Sequence, residues 1–209
     1  MRYLSKEKMY LAAEVAQRKY EETVIQKAKE ELLYLGKMIR RYAAGTVEDI
    51  YESLAPARRE LVTPFWLPDD EYVKQWLDDP YEGPGFSESD PVHYTDSGIR
   101  VRSKSEVLIT QRYCERNVPF KYEKSLYLNG WGWVSPDYHL LNVRLRKEYI
   151  HEHLGMMDDI YYANQNIGKV HAYEKNGYIP GKNLILTFET KQHPINLWEI
   201  DEIIDQYLL

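Results

Sequence analysis

The sequence predicts a protein of the α/β class, of mixed α+β type, in which a helical N-terminal region precedes a sheet covered by helices. Three observations lead to this prediction. Apolar residues recur at helical spacing between residues 25 and 42, three strand-like segments follow one another between 120 and 154, and a helix, a strand and a helix complete the chain. The length of 209 residues accommodates one domain with an appendage or two small domains.

The helical region comprises residues 1–80, which would serve packing, dimerisation or contact with a partner. A long helix, or a broken pair of helices, is expected from residue 5 to about 44, and Gly45 ends it. Its apolar positions follow the spacing of a coiled-coil seam: Ile25, Ala28, Leu32, Leu35, Ile39 and Tyr42. The seam is short, so it would pack on another helix, on the C-terminal domain or on a second copy of the chain. Two further short helices are expected, from about 46 to 54 and from about 68 to 79.

Residues 81–98 are rich in proline, glycine, serine and aspartate, which predicts a linker between the two regions. The C-terminal domain, residues 99–209, opens with a helix that runs to about Asn117. Ser103 and Glu106 have the spacing of a capping box at its start. Glu106 could therefore serve to cap the helix, whether or not it also has a chemical role.

Three antiparallel strands are predicted at 120–128, 133–143 and 148–154. Asn129-Gly130, the strongest short turn signal, separates the first two strands, and Gly155 ends the third. A helix at about 159–176 then crosses to a fourth strand at 184–189, which is apolar enough to be central. The last helix spans 197–209.

Composition limits the classes of function. The single cysteine, Cys114, excludes an internal disulfide and indicates a reducing, cytoplasmic location, and the absence of a long apolar run argues against a membrane span. The net charge of −6 argues against bulk attraction to nucleic acid. Residues 100–147, however, contain ten basic and only four acidic side chains, which suits a phosphate-binding site or a solvated surface of uneven charge.

Each of the three predicted strands carries a carboxylate that a plain sheet would not need: Glu123, Asp137 and Glu152. Acidic residues are disfavoured in strands, and burying an unpaired carboxylate costs free energy. On neighbouring antiparallel strands these side chains can meet on one face. The pattern therefore predicts a site for a divalent cation, and Mg²⁺ or Mn²⁺ suits such oxygen ligands.

The C-terminal half resembles the PD-(D/E)XK, or restriction-endonuclease-like, nuclease superfamily. The resemblance rests on motifs that occur in the same order as in a group of uncharacterised bacterial members: RSKSE, YE, PDY, EHLGMMD, a helix with lysine, NGY and LILTFE. It covers about residues 98–209. It implies an αβββαβα sandwich and a metal-dependent nuclease that hydrolyses phosphodiester bonds, in DNA rather than RNA.

The resemblance also implies residue roles. Asp137 and Glu152 would hold the metal and take part in catalysis, with Glu106 as the carboxylate of the first helix and Glu123 as an outer ligand. The superfamily's strand lysine is replaced here by Leu154, and Lys169 on the following helix would substitute for it. The other residues that we expect at the site are Lys104, Lys121 and Arg102 for substrate and the backbone carbonyl of His153 for the metal.

His151 and His153 flank Glu152 and should point to the opposite face of the strand, which leaves little basis for a zinc site.

Two other hypotheses for the function remain open. Without the strand lysine, the fold could instead be a catalytically inactive module that binds nucleic acid or a protein partner. A helical assembly protein, with the C-terminal domain as scaffold, is a third hypothesis.

Overall fold

The computed structural model describes residues 6–43, 45–46 and 49–209, and the chain divides into two compact units, Met1–Pro68 and Asp69–Leu209. The predicted linker at 81–98 lies inside the second unit, not between the units. Helix α4 (Asp69–Asp78) also belongs to the second unit, because buried Trp76 donates its indole N–H to Glu148 at 2.9 Å. The sequence missed this because the Pro- and Gly-rich segment resembles a flexible connection.

The first unit is dominated by one unbroken helix, α1 (Lys6–Ala43), of 38 residues. The helix is followed by Gly45, whose φ of +117° suits glycine and whose N–H donates to the Tyr42 carbonyl at 3.1 Å. The short helices α2 (Asp49–Glu52) and α3 (Pro56–Arg59) follow. None of the helices that the structure describes is both long enough and apolar enough to cross a membrane.

The second unit is a mixed α and β structure. After α4 its elements are, in chain order, β1 (His93–Tyr94), β2 (Arg100–Val101), α5 (Lys104–Glu115), β3 (Phe120–Tyr122), β4 (Leu126–Leu128), β5 (Gly132–Val134), β6 (Tyr138–Asn142), β7 (Lys147–Leu154), α6 (Ile160–Lys175), β8 (Leu184–Phe188) and α7 (Leu197–Tyr207). The main sheet has the order β3-β6-β7-β8. Its first three strands are antiparallel neighbours, and α6 connects β7 to the parallel strand β8. The sheet is therefore mixed, as predicted.

The first two predicted strands are each divided in two. The chain leaves β3 at Glu123, whose φ is +50°, and the serine that follows two residues later donates its N–H to the Glu82 carbonyl. Strands β4 and β5 then form a separate hairpin around Asn129-Gly130, with φ of +78° at the glycine. A continuous apolar pattern concealed this change of sheet.

Two apolar cores lie on opposite faces of the main sheet because side chains alternate along each strand. One core joins the sheet to α5 and α7: Ile109, Tyr113, Tyr138, Leu140, Ile200 and Ile204. The other joins it to α6 and the hairpin: Leu128, Val134, Ile150, Ala172, Tyr173 and Leu184. Strand β8 lies at the edge of this sheet, so the prediction that it is central was wrong. Its apolar residues are explained by cores on both faces.

Candidate active site

Asp137 and Glu152 lie directly across from one another in the sheet. Tyr138 pairs with His151 in the antiparallel register of β6 and β7. Continuing this register by one residue places Asp137, which immediately precedes β6, opposite Glu152 on β7. Cross-strand partners share a face, which here is the face that carries α6. Glu152 is buried and Asp137 is half-buried. The sequence-based prediction that these two carboxylates share a face agrees with this register.

Helix α6 supplies two side chains to the buried carboxylate. The Lys169 ammonium lies 2.6 Å from Glu152 Oε1, and the Tyr173 hydroxyl donates to the same oxygen at 2.5 Å. Lys169 and Tyr173 are four residues apart, which places them on one side of the helix. Asp137 Oδ2 accepts from the backbone N–H of His153 at 2.6 Å. The predicted substitute lysine therefore contacts one of the two predicted metal ligands.

The electrostatics of the pair favour a cation. Burial raises the pKa of Asp137 well above its usual range, and the charges of Glu152 and Glu106 raise it further. The His153 N–H and Lys169 oppose that rise without cancelling it. Burial also raises the pKa of the Tyr173 hydroxyl, so this group stays protonated and donates. A positive charge near Asp137 would relieve the unfavourable ionisation.

The donor set fits a magnesium-type ion. The hydrogen bonds and ion pairs of the described residues occupy Oδ2 of Asp137 and Oε1 of Glu152, and each carboxylate has a second oxygen. Mg²⁺ needs only one or two carboxylates, because water and substrate phosphate complete its shell. Across the described ranges, no group of three or more His, Cys, Asp or Glu side chains is arranged to hold a metal. The fit is therefore to a two-carboxylate site and not to a cage built only by the protein.

The cluster consists of two opposed carboxylates, one ammonium group and one phenol. Comparison of the chain with family models, with curated proteins and with solved structures gave no significant match. The chemistry of the cluster is therefore inferred from its own geometry and charges.

Glu123 lies elsewhere, although its strand position would align it with Asp137. Its φ of +50° takes the side chain off the strand pattern, and both its oxygens accept from Arg102, at 2.5 and 3.0 Å. Arg102 also donates to Asp90 and to the Gly85 carbonyl. The predicted outer ligand and the predicted substrate-binding arginine are thus paired with each other.

Glu106 makes one of the two bonds of a capping box, and its carboxylate bonds the neighbouring groups. The Ser103 hydroxyl accepts from the Glu106 N–H at 3.1 Å and donates to its Oε1 at 2.7 Å. Its Oε2 accepts from Tyr122 at 2.5 Å and from the Arg102 N–H at 3.1 Å. Both carboxylate oxygens serve the start of α5, and only the charge of Glu106 reaches Asp137.

The two lysines predicted to bind substrate have different environments. Lys121 is buried, its ammonium donates to the Asp79 carbonyl at 2.6 Å, and it lies against the rings of Trp76 and Tyr81. It anchors the segment after α4 and is not presented to a ligand. Lys104 is exposed at the start of α5. Of this pair, only Lys104 is on the surface.

The histidines flanking Glu152 point to the opposite face, as expected. His151 bonds Tyr113 at 2.7 Å and Thr187 at 2.8 Å, and the same threonine bonds His153 Nδ1 at 2.9 Å. The His153 side chain is therefore turned away from the carboxylates, and its N–H is what contacts Asp137. The prediction that its carbonyl binds metal stays a prediction.

Two tyrosines of the site were missed by the sequence analysis. Tyr173 could have been found from its spacing of four residues after Lys169. Burial raises the pKa of Tyr162, and the charges of Asp137 and Glu152 contribute to that rise. Tyr162 therefore lies close enough to the carboxylates for their charge to reach its hydroxyl. Neither residue belongs to the quoted motifs, and aromatic residues on a helix are usually assigned to the core.

Proposed function

We propose that the second unit is a metal-dependent nuclease that hydrolyses phosphodiester bonds in DNA rather than RNA. The observation that carries the proposal is the opposed pair Asp137 and Glu152, with Lys169 at 2.6 Å from Glu152. A phosphodiester resists hydrolysis because its negative charge repels the nucleophile. A divalent ion held by carboxylates, together with a nearby ammonium group, reduces this repulsion by neutralising part of the phosphate charge.

The order of elements also supports a restriction-endonuclease-like fold. Helix α5, strands β3, β6 and β7, helix α6, strand β8 and helix α7 follow the order αβββαβα, if the β4–β5 hairpin is taken as an insertion between the first two strands. In that arrangement α5 and α7 cover one face, and α6 covers the other.

In this proposal Asp137 and Glu152 hold Mg²⁺ or Mn²⁺. The bound ion would shield the phosphate charge and acidify a water molecule. Tyr173 fixes Oε1 of Glu152 by its hydrogen bond, which leaves the other carboxylate oxygen for the ion. Lys169, whose side chain is 23% exposed, shares that fixed oxygen and can reach a phosphate or an attacking water from there.

A surface beside the site suits a nucleic-acid strand. A cavity of about 620 Å³ is lined by Lys124, Ser125, Trp133, Ser135 and the segment 80–84. Ser135 is two residues from Asp137, and the Trp133 ring is exposed beside Tyr127 at a centroid distance of 5.4 Å. Exposed aromatic rings stack on unpaired bases, and lysine binds phosphate. Several other basic residues of the 100–147 segment form ion pairs within the chain: Arg102, Arg112, Arg116, Lys121 and Arg146.

The direct test is cleavage of DNA and RNA by the full chain with Mg²⁺ or Mn²⁺. We expect Asp137→Asn and Glu152→Gln to lower the cleavage rate by about 100-fold or more, because each removes a charged metal ligand. Asp158→Asn and Glu202→Gln make the same chemical changes at exposed positions and should leave the rate unchanged. Cleavage that persists in both site variants would overturn the assignment.

A binding module without catalysis is the second candidate. The observation that favours it is the Lys169–Glu152 ion pair, which can compensate the buried carboxylate without a metal. Titration calorimetry separates the two functions. Mn²⁺ binding that disappears in the Asp137→Asn/Glu152→Gln double variant supports the enzyme, whereas DNA binding with no Mn²⁺ binding supports the module.

A further inference from the structure

Helix α1 carries a continuous apolar seam on its C-terminal half. The large side chains of the seam are exposed to 53% for Ile25, 68% for Leu32, 54% for Leu35, 68% for Ile39 and 67% for Tyr42. Contiguous apolar surface of this kind is uncommon on a monomeric soluble protein and marks an interaction site. A helix with such a seam gains its stability from packing the apolar side against something else.

The spacing of the seam identifies the kind of partner. Residues 25, 32 and 39 occupy the first core position of successive heptads, and residues 28, 35 and 42 occupy the second. The 19 residues from Ile25 to Ala43 span roughly 28 Å at 1.5 Å per residue. Isoleucine at positions 25 and 39, with leucine at position 35, favours two strands over three or four in a parallel coiled coil.

The residues that flank the seam carry little charge. In a parallel pair in register, Val24 of one helix would face Lys29 of the other, Glu31 would face Gly36, and Met38 would face Ala43. No like charges meet, and no run of one sign selects an oppositely charged partner. The flanks are therefore compatible with an identical helix.

The remaining side of the helix is mainly polar. It carries Gln26, Lys27, Glu30, Lys37, Arg40 and Arg41, with Leu33 and Tyr34 as the apolar exceptions. This distribution leaves one side for solvent and one for a single neighbouring helix, as in a two-stranded coiled coil.

We propose that residues 24–43 of α1 form a parallel, two-stranded coiled coil with a second copy of this chain. The proposal rests on the exposed seam, its heptad spacing and its weakly charged flanks, and it is independent of the nuclease assignment. Two copies of the second unit would then belong to one particle and could engage one ligand bivalently.

The test compares matched substitutions on neighbouring positions of the helix. The molar mass of the full chain is measured by sedimentation over a wide concentration range. The wild-type chain should be a dimer, and Leu32→Asp/Leu35→Asp should raise its dissociation constant by about 100-fold or more, because each buried carboxylate would lack a partner. Leu33→Asp introduces the same residue at a position that is 57% exposed but outside the seam, and it should remain dimeric.

Cross-linking determines the orientation of the helices. The background is Cys114→Ser, which removes the only native thiol. In it Ile25→Cys should form a disulfide between copies, because only a parallel pair brings residue 25 beside its own counterpart. Lys37→Cys on the polar side should not form one. Near-native thermal unfolding of the second unit in every variant shows that the substitutions act on association alone.

Three outcomes would overturn the proposal. A wild-type chain that stays monomeric excludes a second copy as the partner of the seam. The seam would then pack on its own chain or bind a different protein. A dimer that survives Leu32→Asp/Leu35→Asp places the interface elsewhere. A dimer that depends on the seam but does not cross-link through Ile25→Cys excludes the parallel orientation.

Discussion

Two kinds of carboxylate occupy the same end of the main sheet, and their surroundings differ. By register, Glu123, Asp137 and Glu152 would form one row across β3, β6 and β7. Glu123 leaves that row, and Arg102 satisfies both of its oxygens. Asp137 and Glu152 remain opposed, and the pKa of Asp137 is raised by burial and by the neighbouring negative charge.

The difference separates acids whose charge the chain compensates from the acids to which we assign the proposed function. A carboxylate whose charge the chain itself compensates contributes to the fold, as Glu123 and Glu106 do. Two carboxylates that repel each other and are only partly compensated lower the stability of the fold. Such a pair is typical of a site at which a bound ligand removes the repulsion. Asp137 and Glu152 belong to the second kind.

The largest expected effect on stability is that of Glu123→Gln. The substitution leaves the Arg102 guanidinium with Asp90 as its remaining carboxylate, and we expect a loss of about 1–3 kcal/mol in the free energy of unfolding, measured in urea. Glu115→Gln removes a more exposed partner of Arg112 and should cost about 0–1 kcal/mol. If Glu123→Gln abolished Mn²⁺ binding with little loss of stability, Glu123 would belong with the functional pair.

A smaller effect is expected from Tyr173→Phe. Without the hydroxyl, Glu152 Oε1 keeps Lys169 but loses its fixed orientation, so the dissociation constant for Mn²⁺ should rise about 10-fold by calorimetry. Tyr178→Phe removes a hydroxyl from a ring that packs on Tyr173 and should leave the affinity unchanged. Equal affinities in wild type and Tyr173→Phe would make the hydroxyl a packing feature only, and a wild type that binds no Mn²⁺ counts instead against the nuclease.

The elements around the site could be predicted from local signals. Gly155 follows the end of strand β7, the Asn129-Gly130 turn has its own signature, and Ser103 caps α5. Once the strands were placed, alternation put Asp137 and Glu152 on one face and the two histidines on the other. Each of these inferences needs only short-range pattern.

The contacts of Glu123 and Lys121 could not be predicted in the same way. A positive φ at a glutamate has no local signal, and Glu123 contacts Arg102 instead of joining the predicted metal ligands. Lys121 is buried because α4, some 40 residues earlier in the chain, packs over it. Such assignments depend on tertiary packing, which a single sequence does not specify.

The smallest expected effect is the pH dependence introduced by Asp137. Because its pKa is raised in the folded protein, the folded state holds this proton more tightly than the unfolded state. The resulting stability is present below the ordinary aspartate range and is lost as pH rises through the raised pKa. Asp137→Asn keeps an oxygen for the His153 N–H and removes that loss. In metal-free buffer its melting temperature should match the wild type near pH 4 and exceed it at pH 8, by about 2–4 °C per kcal/mol.

Comparing the Asp137→Asn variant with the wild type separates the pH effect of this carboxyl from that of the buried histidines. Burial lowers the pKa of His139 to about 4 and that of His151 to about 3, so both residues favour unfolding in acid in either protein. Asp158→Asn, at an exposed position, should show no pH-dependent difference. Saturating Mn²⁺ should reverse the order at pH 8, because only the wild type then gains a ligand for the repelling pair. A variant that is less stable than wild type at pH 8 without metal would place Asp137 with the compensated acids.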